Sequence, residues 1–260
     1  QLNNSKVLGS SLFIPYFNVI SESQDYTFKP TIFENNKYIL QNEYRQKNKN
    51  STLITDFSLT TGYKSSSEED KNSISHFFLK YDHDLKLKDF SKSKINAKIE
   101  RVSNDTYLKV FNSNLFRTPA MPESTDYMTN KIDLNLINED YSFNSGIQTY
   151  ETLGLSDSDK YQYVFPYYDF TKSFELSKLS GLINFYSSGS NDLTDTNSLL
   201  TSITNDIEYR SFDQITLSGF RNNFGIYFKN VNTVAKDNIN YKSSPELEAM
   251  NIFELNSSWP

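Results

Sequence analysis

Three features of the sequence predict an all-β fold, built as an antiparallel outer-membrane β-barrel. Helix formers are scarce: the chain has only four alanines, at positions 97, 120, 235 and 249, against 18 Tyr and 20 Phe. Hydrophobic content is 37% and mean hydropathy is -0.61, low values for a packed soluble core, yet 15% of the residues are aromatic. Apolar and polar residues also alternate strictly over long runs. A membrane barrel accounts for all three, because one face of each strand meets lipid while the other lines a polar interior.

The alternation defines the predicted strands. In Ser75 to Lys88, one face carries Phe77 and Leu79 and the other carries Phe78 and Lys80. Similar runs cover Lys37 to Gln46, Ser51 to Tyr63, Lys131 to Leu136, Tyr141 to Gln148 and Ile203 to Arg210. Ile39 and Ile54 depart from the pattern. We expect roughly a dozen strands, many of about 9 to 11 residues, which is the length that a tilted strand needs to cross a bilayer.

The connections between these runs alternate in length. Short polar turns are predicted at Glu34 to Asn36, Asn48 to Asn50 and Asn138 to Asp140. Long polar loops are predicted at Lys64 to Asn72, Asn112 to Asp126 and Ser187 to Leu200. Short turns on one side and long loops on the other are typical of outer-membrane barrels. We expect one domain over residues 1–260, with helix as a minor component.

Composition and charge exclude several function classes. The net charge of -6 comes from interspersed charges of both signs, so the sequence offers no basic face for nucleic acid. Cysteine is absent, which excludes disulfides and thiolate metal sites. Because no stretch approaches about 20 apolar residues, a membrane protein with this sequence would cross with strands.

The sequence offers no candidate for catalysis, a metal site or a cofactor. His76 and His83 lie seven residues apart on one predicted strand, which places them on opposite faces, where they cannot bind one metal together. We expect both at the surface or rim. Nucleotide-binding and nucleophile motifs are also absent from the sequence. The chain is therefore predicted not to be an enzyme.

Two prolines fall within the first predicted strands. Pro15 lies in the run Leu12 to Ile20, and Pro30 lies in the run Asp25 to Glu34. Proline cannot donate a hydrogen bond to a β-ladder and is expected at edges or bulges. The pair indicates either a weakened seam between two adjacent strands or two ordinary edge-strand prolines.

Several segments together resemble the lipopolysaccharide-assembly family LptD, also called the organic solvent tolerance protein family. The segments are Ile14 to Asn18, Gln24 to Pro30, Asn42 to Arg45, Arg101 to Leu108 and Tyr161 to Pro166. They are similar to the family's Pro-Tyr-aromatic strand, its Asp-x-Thr-x-x-Pro strand, an acidic-aromatic-Arg strand end, a Val-Ser-Asp-x-x-Tyr segment and a later strand containing proline. Asn104 stands where that family has Asp. The resemblance covers residues 9 to 170 most clearly, and Leu255 to Pro260 resembles a Trp-Pro strand start.

This resemblance implies a 26-stranded barrel that inserts lipopolysaccharide into the outer leaflet of a Gram-negative outer membrane. The implied partners are lipopolysaccharide, a plug lipoprotein (LptE) and a periplasmic bridge protein (LptA). Pro15 and Pro30 match the prolines of the lateral gate between the family's first and last strands. The chain would then be part of that barrel, without its periplasmic domain and closing strands. The alternatives are an outer-membrane porin or channel, and a secreted β-sandwich or β-helical carbohydrate-binding module.

Overall fold

The structure is a computed structural model that describes residues 2–5, 8–34, 37–61, 73–155, 159–176 and 180–259. In these ranges the chain is almost entirely β, with one five-residue helix, α1 (Tyr107–Phe111). The strands are β1 (Leu2–Ser5), β2 (Gly9–Phe13), β3 (Tyr16–Ser21), β4 (Gln24–Phe33), β5 (Tyr38–Lys47), β6 (Ser51–Thr61), β7 (Ser73–Asp84), β8 (Lys92–Val102), β9 (Tyr127–Ile137), β10 (Tyr141–Thr152), β11 (Tyr161–Leu176), β12 (Gly181–Thr194), β13 (Ser198–Ser211), β14 (Gln214–Ile215), β15 (Arg221–Lys236) and β16 (Glu246–Ser258). No helix within the described ranges is long and apolar enough to span a membrane. The all-β prediction is confirmed.

The strands pair in nearly sequential order. The order is β1-β2-β4-β5-β6-β7-β8-β9-β10-β11-β12-β13-β15-β14, with β3 on β4 and β16 on β15. This is a meander, and the pairings that are resolved in detail are all antiparallel. Among the described strands the order has two ends and does not close into a ring. The antiparallel sheet is thus as predicted, whereas barrel closure is not seen.

The chain divides into two compact units. Unit 1 comprises Gln1–Leu85, Ile95–Ile132 and Thr149–Tyr161, and unit 2 comprises Lys86–Lys94, Asp133–Gln148 and Gln162–Pro260. Four strands, β8, β9, β10 and β11, contribute residues to both, β11 through Tyr161 alone in unit 1. The expectation of one domain over residues 1–260 stays a prediction.

In unit 1 the two faces of the sheet are occupied in the reverse of the soluble pattern. Along β6, Asp56, Ser58 and Thr60 are 0, 4 and 1% exposed, whereas Phe57 and Leu59 are 40 and 44% exposed. A soluble sheet buries its apolar face and exposes its polar one. We call the face that carries Asp56 the inner face and the opposite face the outer face.

The buried core of unit 1 lies on the inner face, beneath residues 103–126. This connection between β8 and β9 contains α1 and is named the inner segment here. Tyr107, Phe111 and Met121 of the inner segment belong to one cluster with Ile39 and Phe78 of the sheet. The predicted long connection at Asn112 to Asp126 is confirmed, but it is packed against the strands instead of being a solvated loop.

Several strand limits differ from the predictions. The predicted strand Ser75 to Lys88 ends at Asp84, because the chain turns at Lys86, where φ is 52°. The predicted loop Ser187 to Leu200 is wrong: the residues lie in β12 and β13, joined by a tight turn with positive φ at Asp195 and Thr196. Ser and Asn can form ladder pairs when the tight turn sets the register, and their low strand propensity hid this hairpin. The predicted loop Lys64 to Asn72 lies outside the described residues.

Candidate functional site

The two prolines lie near the start of the sheet, where β1, β2 and β4 are successive neighbours. Pro15 is exposed and separates β2 from β3, which lie end to end beside β4 and are together named the edge strand, although β1 pairs with its β2 half. Pro30 lies within β4 and is the register partner of Leu40 on β5. The register continues across the break, because Phe13 pairs with Thr31 and Tyr16 pairs with Phe28. The structure therefore places both prolines beside a single seam, between the edge strand and β4.

The register also shows which hydrogen bond each proline removes. The amide of Ile14 donates to the carbonyl of Pro30 at 3.3 Å. In an antiparallel pair such residues exchange both bonds, so the bond missing at Pro30 is the one back to Ile14. Neighbouring residues point to opposite sides of a strand, so the donor missing at Pro15 would have pointed away from β4. The bond missing at Pro30 therefore weakens the seam. Pro15 instead removes a backbone donor from the side of the edge strand that faces away from β4.

The half of the edge strand that β3 forms has no second neighbouring strand among the described residues. Strand β1 pairs with β2 between Leu12 and Gly9, whereas β3 pairs with β4 alone among the described strands. Tyr16, Phe17, Val19 and Ile20 of β3 are each more than half exposed. This half therefore presents unpaired backbone groups and apolar side chains together.

An open groove lies beside β3, on the inner face. Its volume is about 480 Å³, and its lining joins apolar side chains (Phe17, Val19, Ile54) to charged ones (Asp25, Arg45). The guanidinium of Arg45 donates to Asp25 at 2.7 Å. An apolar wall with an ion pair beside it suits an amphiphile better than a purely polar solute.

A network of buried polar side chains surrounds Asp56 on the inner face, apart from the groove. Its carboxylate accepts hydrogen bonds from Gln41 Nε2 (2.9 Å) and Thr118 Oγ1 (2.6 Å), and it lies 3.0 Å from His76 Nε2. His76 Nδ1 lies 3.0 Å from both Ser58 Oγ and the Tyr107 hydroxyl. The expectation of a surface or rim position for His76 is wrong, because the inner segment covers it. Its assignment to the face opposite His83 follows from the unbroken register of β6 and β7.

The order Ser58, His76, Asp56 resembles a hydrolase triad in its contacts but not in its access. A nucleophile must reach a substrate, whereas Ser58 is buried and its hydroxyl is already hydrogen-bonded to Tyr107. These side chains instead join three strands to the inner segment. Within the described ranges, no group of three or more acidic or His side chains could hold a metal ion.

Two further contacts fix the inner segment. Gln41 holds the backbone of Phe116 on both sides, because its Nε2 donates to the Phe116 carbonyl and its Oε1 accepts from the Phe116 amide, each at 2.8 Å. Lys160 lies 2.8 Å from Asp105 and 2.8 Å from Glu151. Sequence reasoning missed this segment as a structural element. The available signal was the presence of apolar Ile39 and Ile54 on the inner face, since both pack in or against the core.

Burial and pairing shift the pKa of two groups at the inner segment. Burial raises the pKa of Tyr107 to about 12, and the Ser58 hydrogen bond opposes this only in part. Burial lowers the pKa of Lys160, but its hydrogen bonds to Asp105 and Glu151 outweigh burial, so the pKa lies above its usual range. Tyr107 is therefore neutral and Lys160 charged over the physiological range.

No protein-family model matches the chain, and no curated protein sequence matches it either.

Proposed function

We propose that this chain is part of an outer-membrane β-barrel that inserts lipopolysaccharide into the outer leaflet, through an opening beside its first strands. The chain performs no reaction in this proposal, and its substrate is the lipid that it moves. The partners, by resemblance, are a plug lipoprotein (LptE) and a periplasmic bridge protein (LptA), in a Gram-negative outer membrane.

The observation that carries the proposal is the reversed burial along the strands of unit 1. Phe57 and Phe77 are register partners on the outer face and are each 40% exposed, while Asp56 and His76 lie buried on the inner face. Exposing aromatic pairs to water while burying carboxylates is costly. The cost of exposing the aromatic rings disappears when the outer face contacts hydrocarbon, as it does in a transmembrane barrel. The cost of burying Asp56 is offset by the hydrogen bonds that its carboxylate accepts from Gln41 and Thr118.

Strand length supports the same conclusion. The strands from β4 to β13 have 10 to 16 residues each. A tilted transmembrane strand needs about 9 to 11 residues, whereas strands of globular proteins usually have about 5 or 6. A secreted sandwich module would also pack its apolar faces against each other, and the outer face of unit 1 has no such cover among the described residues.

The seam at Pro15 and Pro30 is the proposed exit. The missing ladder bond at Pro30 lowers the free energy needed to separate the edge strand from β4 by about 0.5–1.5 kcal/mol. The groove at Phe17 and Arg45 adjoins this seam and has the mixed lining that a lipid with charged groups needs. A porin would share the exposed apolar face but has no need for a weakened first pair of strands.

A reversible cross-link across the seam tests the proposal. Phe17 and Thr27 are register partners without direct ladder bonds, which places their Cα atoms about 4.5 Å apart, within reach of a disulfide. Residues 1–260 contain no cysteine, so the double variant Phe17→Cys, Thr27→Cys places one new pair of thiols in this part of the protein, across the seam. The matched control is Lys47→Cys, Thr52→Cys, an equivalent pair between β5 and β6 that lines the same groove.

The readout is the appearance of new lipopolysaccharide at the surface of cells that depend on the full-length variant. Oxidation should stop delivery in the seam variant, reduction should restore it, and the control should deliver under both conditions. Normal delivery with the seam bridge formed would contradict the seam as the exit. Unchanged surface lipopolysaccharide after depletion of the protein would contradict the proposed function altogether.

A further inference from the structure

Strand β2 pairs with β1 on one side but is joined to β4 on the other side by only a short ladder. That ladder runs from Ser11 and Phe33 to Phe13 and Thr31, and the Glu34 amide adds one bond to the Ser10 carbonyl at 3.1 Å. Beyond it, the Ile14 amide reaches Pro30 at 3.3 Å, near the limit for a hydrogen bond, and Pro30 returns none. Side-chain contacts must therefore contribute to keeping β2 on the sheet.

One side chain of the inner segment reaches this strand. The ring of Phe116 stacks on Phe13 with centroids 5.8 Å apart and planes at 10°. The ammonium group of Lys29 on β4 lies 4.4 Å from the centroid of the same ring. Phe116 thus bridges the two sides of the seam, one through ring stacking and the other through a cation–π contact.

The backbone of Phe116 is held in place, whereas its ring has space to move. Gln41 clamps its backbone through two hydrogen bonds, and Thr118, two residues on, is bonded to buried Asp56. The ring itself is half exposed and borders a cavity of about 200 Å³ that is also lined by Phe13 and Arg117. The ring can turn into this space without disturbing the anchors behind it.

We propose that Phe116 is an aromatic latch that holds β2 against β4, and that release of its ring from Phe13 opens the seam. The inference rests on the proposed function only in assigning that opening a purpose. The latch regulates the seam from inside the sheet through a segment that is not itself part of the edge. The polar anchors at Gln41 and Asp56 stay in place during opening.

Amide hydrogen exchange on the purified full-length protein in detergent tests the latch without any lipid substrate. The reporting amides are Ile14, which donates to Pro30, and Glu34, which donates to Ser10 at 3.1 Å. Phe116→Ala should speed their exchange about tenfold, whereas Phe116→Tyr, which keeps the ring, should exchange like the parent protein. Phe174→Ala removes a similarly exposed ring from unit 2 and should leave both amides unchanged.

Equal exchange at Ile14 and Glu34 in Phe116→Ala and the parent protein would overturn the latch. If Phe116→Ala also loosens β5 to β7, Phe13→Ala removes the same stack from the edge side; unchanged exchange of Glu34 in that variant would overturn the latch as well. The two proposals fail separately. Faster exchange in Phe116→Ala, together with unchanged surface lipopolysaccharide after depletion of the protein, would support the latch and contradict the proposed function. Lipopolysaccharide delivery by the parent protein, together with unchanged exchange in Phe116→Ala, would contradict the latch alone.

Discussion

Units 1 and 2 are built from the same kind of strand but differ in what covers their polar faces. In unit 1, Asp56 on β6 is completely buried beneath the inner segment. In unit 2, Asp206 on β13 is 29% exposed and pairs at 3.2 Å with Lys229, which is 48% exposed. The apolar faces do not differ in this way, since Phe57 and Ile207 are 40 and 41% exposed. The alternation within a strand therefore determines by itself which side chains form the apolar face. Whether the polar face is buried or stays solvent-exposed depends on a connection that is distant in sequence.

The largest expected effect comes from removing one carboxylate in each unit. Asp56→Ala should lower the free energy of unfolding by about 3–5 kcal/mol, because Gln41, His76 and Thr118 lose their buried acceptor. Asp206→Ala should lower it by less than about 1 kcal/mol, because an exposed ion pair is screened by solvent. Denaturant unfolding of both variants measures the difference. Equal losses in the two variants would remove the distinction between a covered and an open polar face.

A smaller effect is expected from pH, again confined to unit 1. The pKa of Tyr107 is about 12, above its ordinary value of 10.0, so the folded protein keeps a phenol proton that the unfolded chain loses. The contribution of Tyr107 to the free energy of unfolding is fully present below pH 10, and roughly 3 kcal/mol of it is lost as pH rises towards 12. Unfolding measured from pH 9 to 12 should show this slope, and Tyr107→Phe should flatten it. A slope that persists in Tyr107→Phe would assign the alkaline loss to another group.

The outer face could be predicted from sequence because its cause is local. A period of two places Phe57, Leu59 and Phe77 on one side, whatever happens elsewhere in the chain. The turn at Asn48 to Asn50 likewise appears where predicted, because its residues favour a tight connection between two regular strands. The loop predicted at Ser187 to Leu200 is wrong because these residues have low strand propensity, and the strand forms there through the pairing of β12 with β13.

The inner segment could not be predicted because its contacts are distant in sequence. Phe116 meets Gln41 across 75 residues, and Thr118 meets Asp56 across 62. The local traces were the misplaced apolar residues Ile39 and Ile54, which have no reason to face a polar interior unless something packs on them. His76 was misassigned for the same reason, since a His on a polar face is exposed until a segment covers it.

The prolines show a middle case. Their place in the first two strands was visible in the sequence, and the structure puts them beside one seam. Which ladder bond each one removes depends on the register, because residues alternate between the two neighbours of a strand. The sequence could locate the weak point. It could not show that Pro30 removes a bond across the seam whereas Pro15 removes a donor on the side facing away from β4.

The most direct test of the central claim, that the apolar face meets lipid, is the accessibility of two adjacent residues in unit 2. Ile207 and Asp206 lie on opposite faces of β13, so spin labels at Ile207→Cys and Asp206→Cys in the full-length protein in lipid vesicles sample the two faces. The label at position 207 should collide mainly with lipid-soluble oxygen, and the label at position 206 mainly with a water-soluble nickel complex. Equal access of the nickel complex to both positions would contradict the membrane barrel.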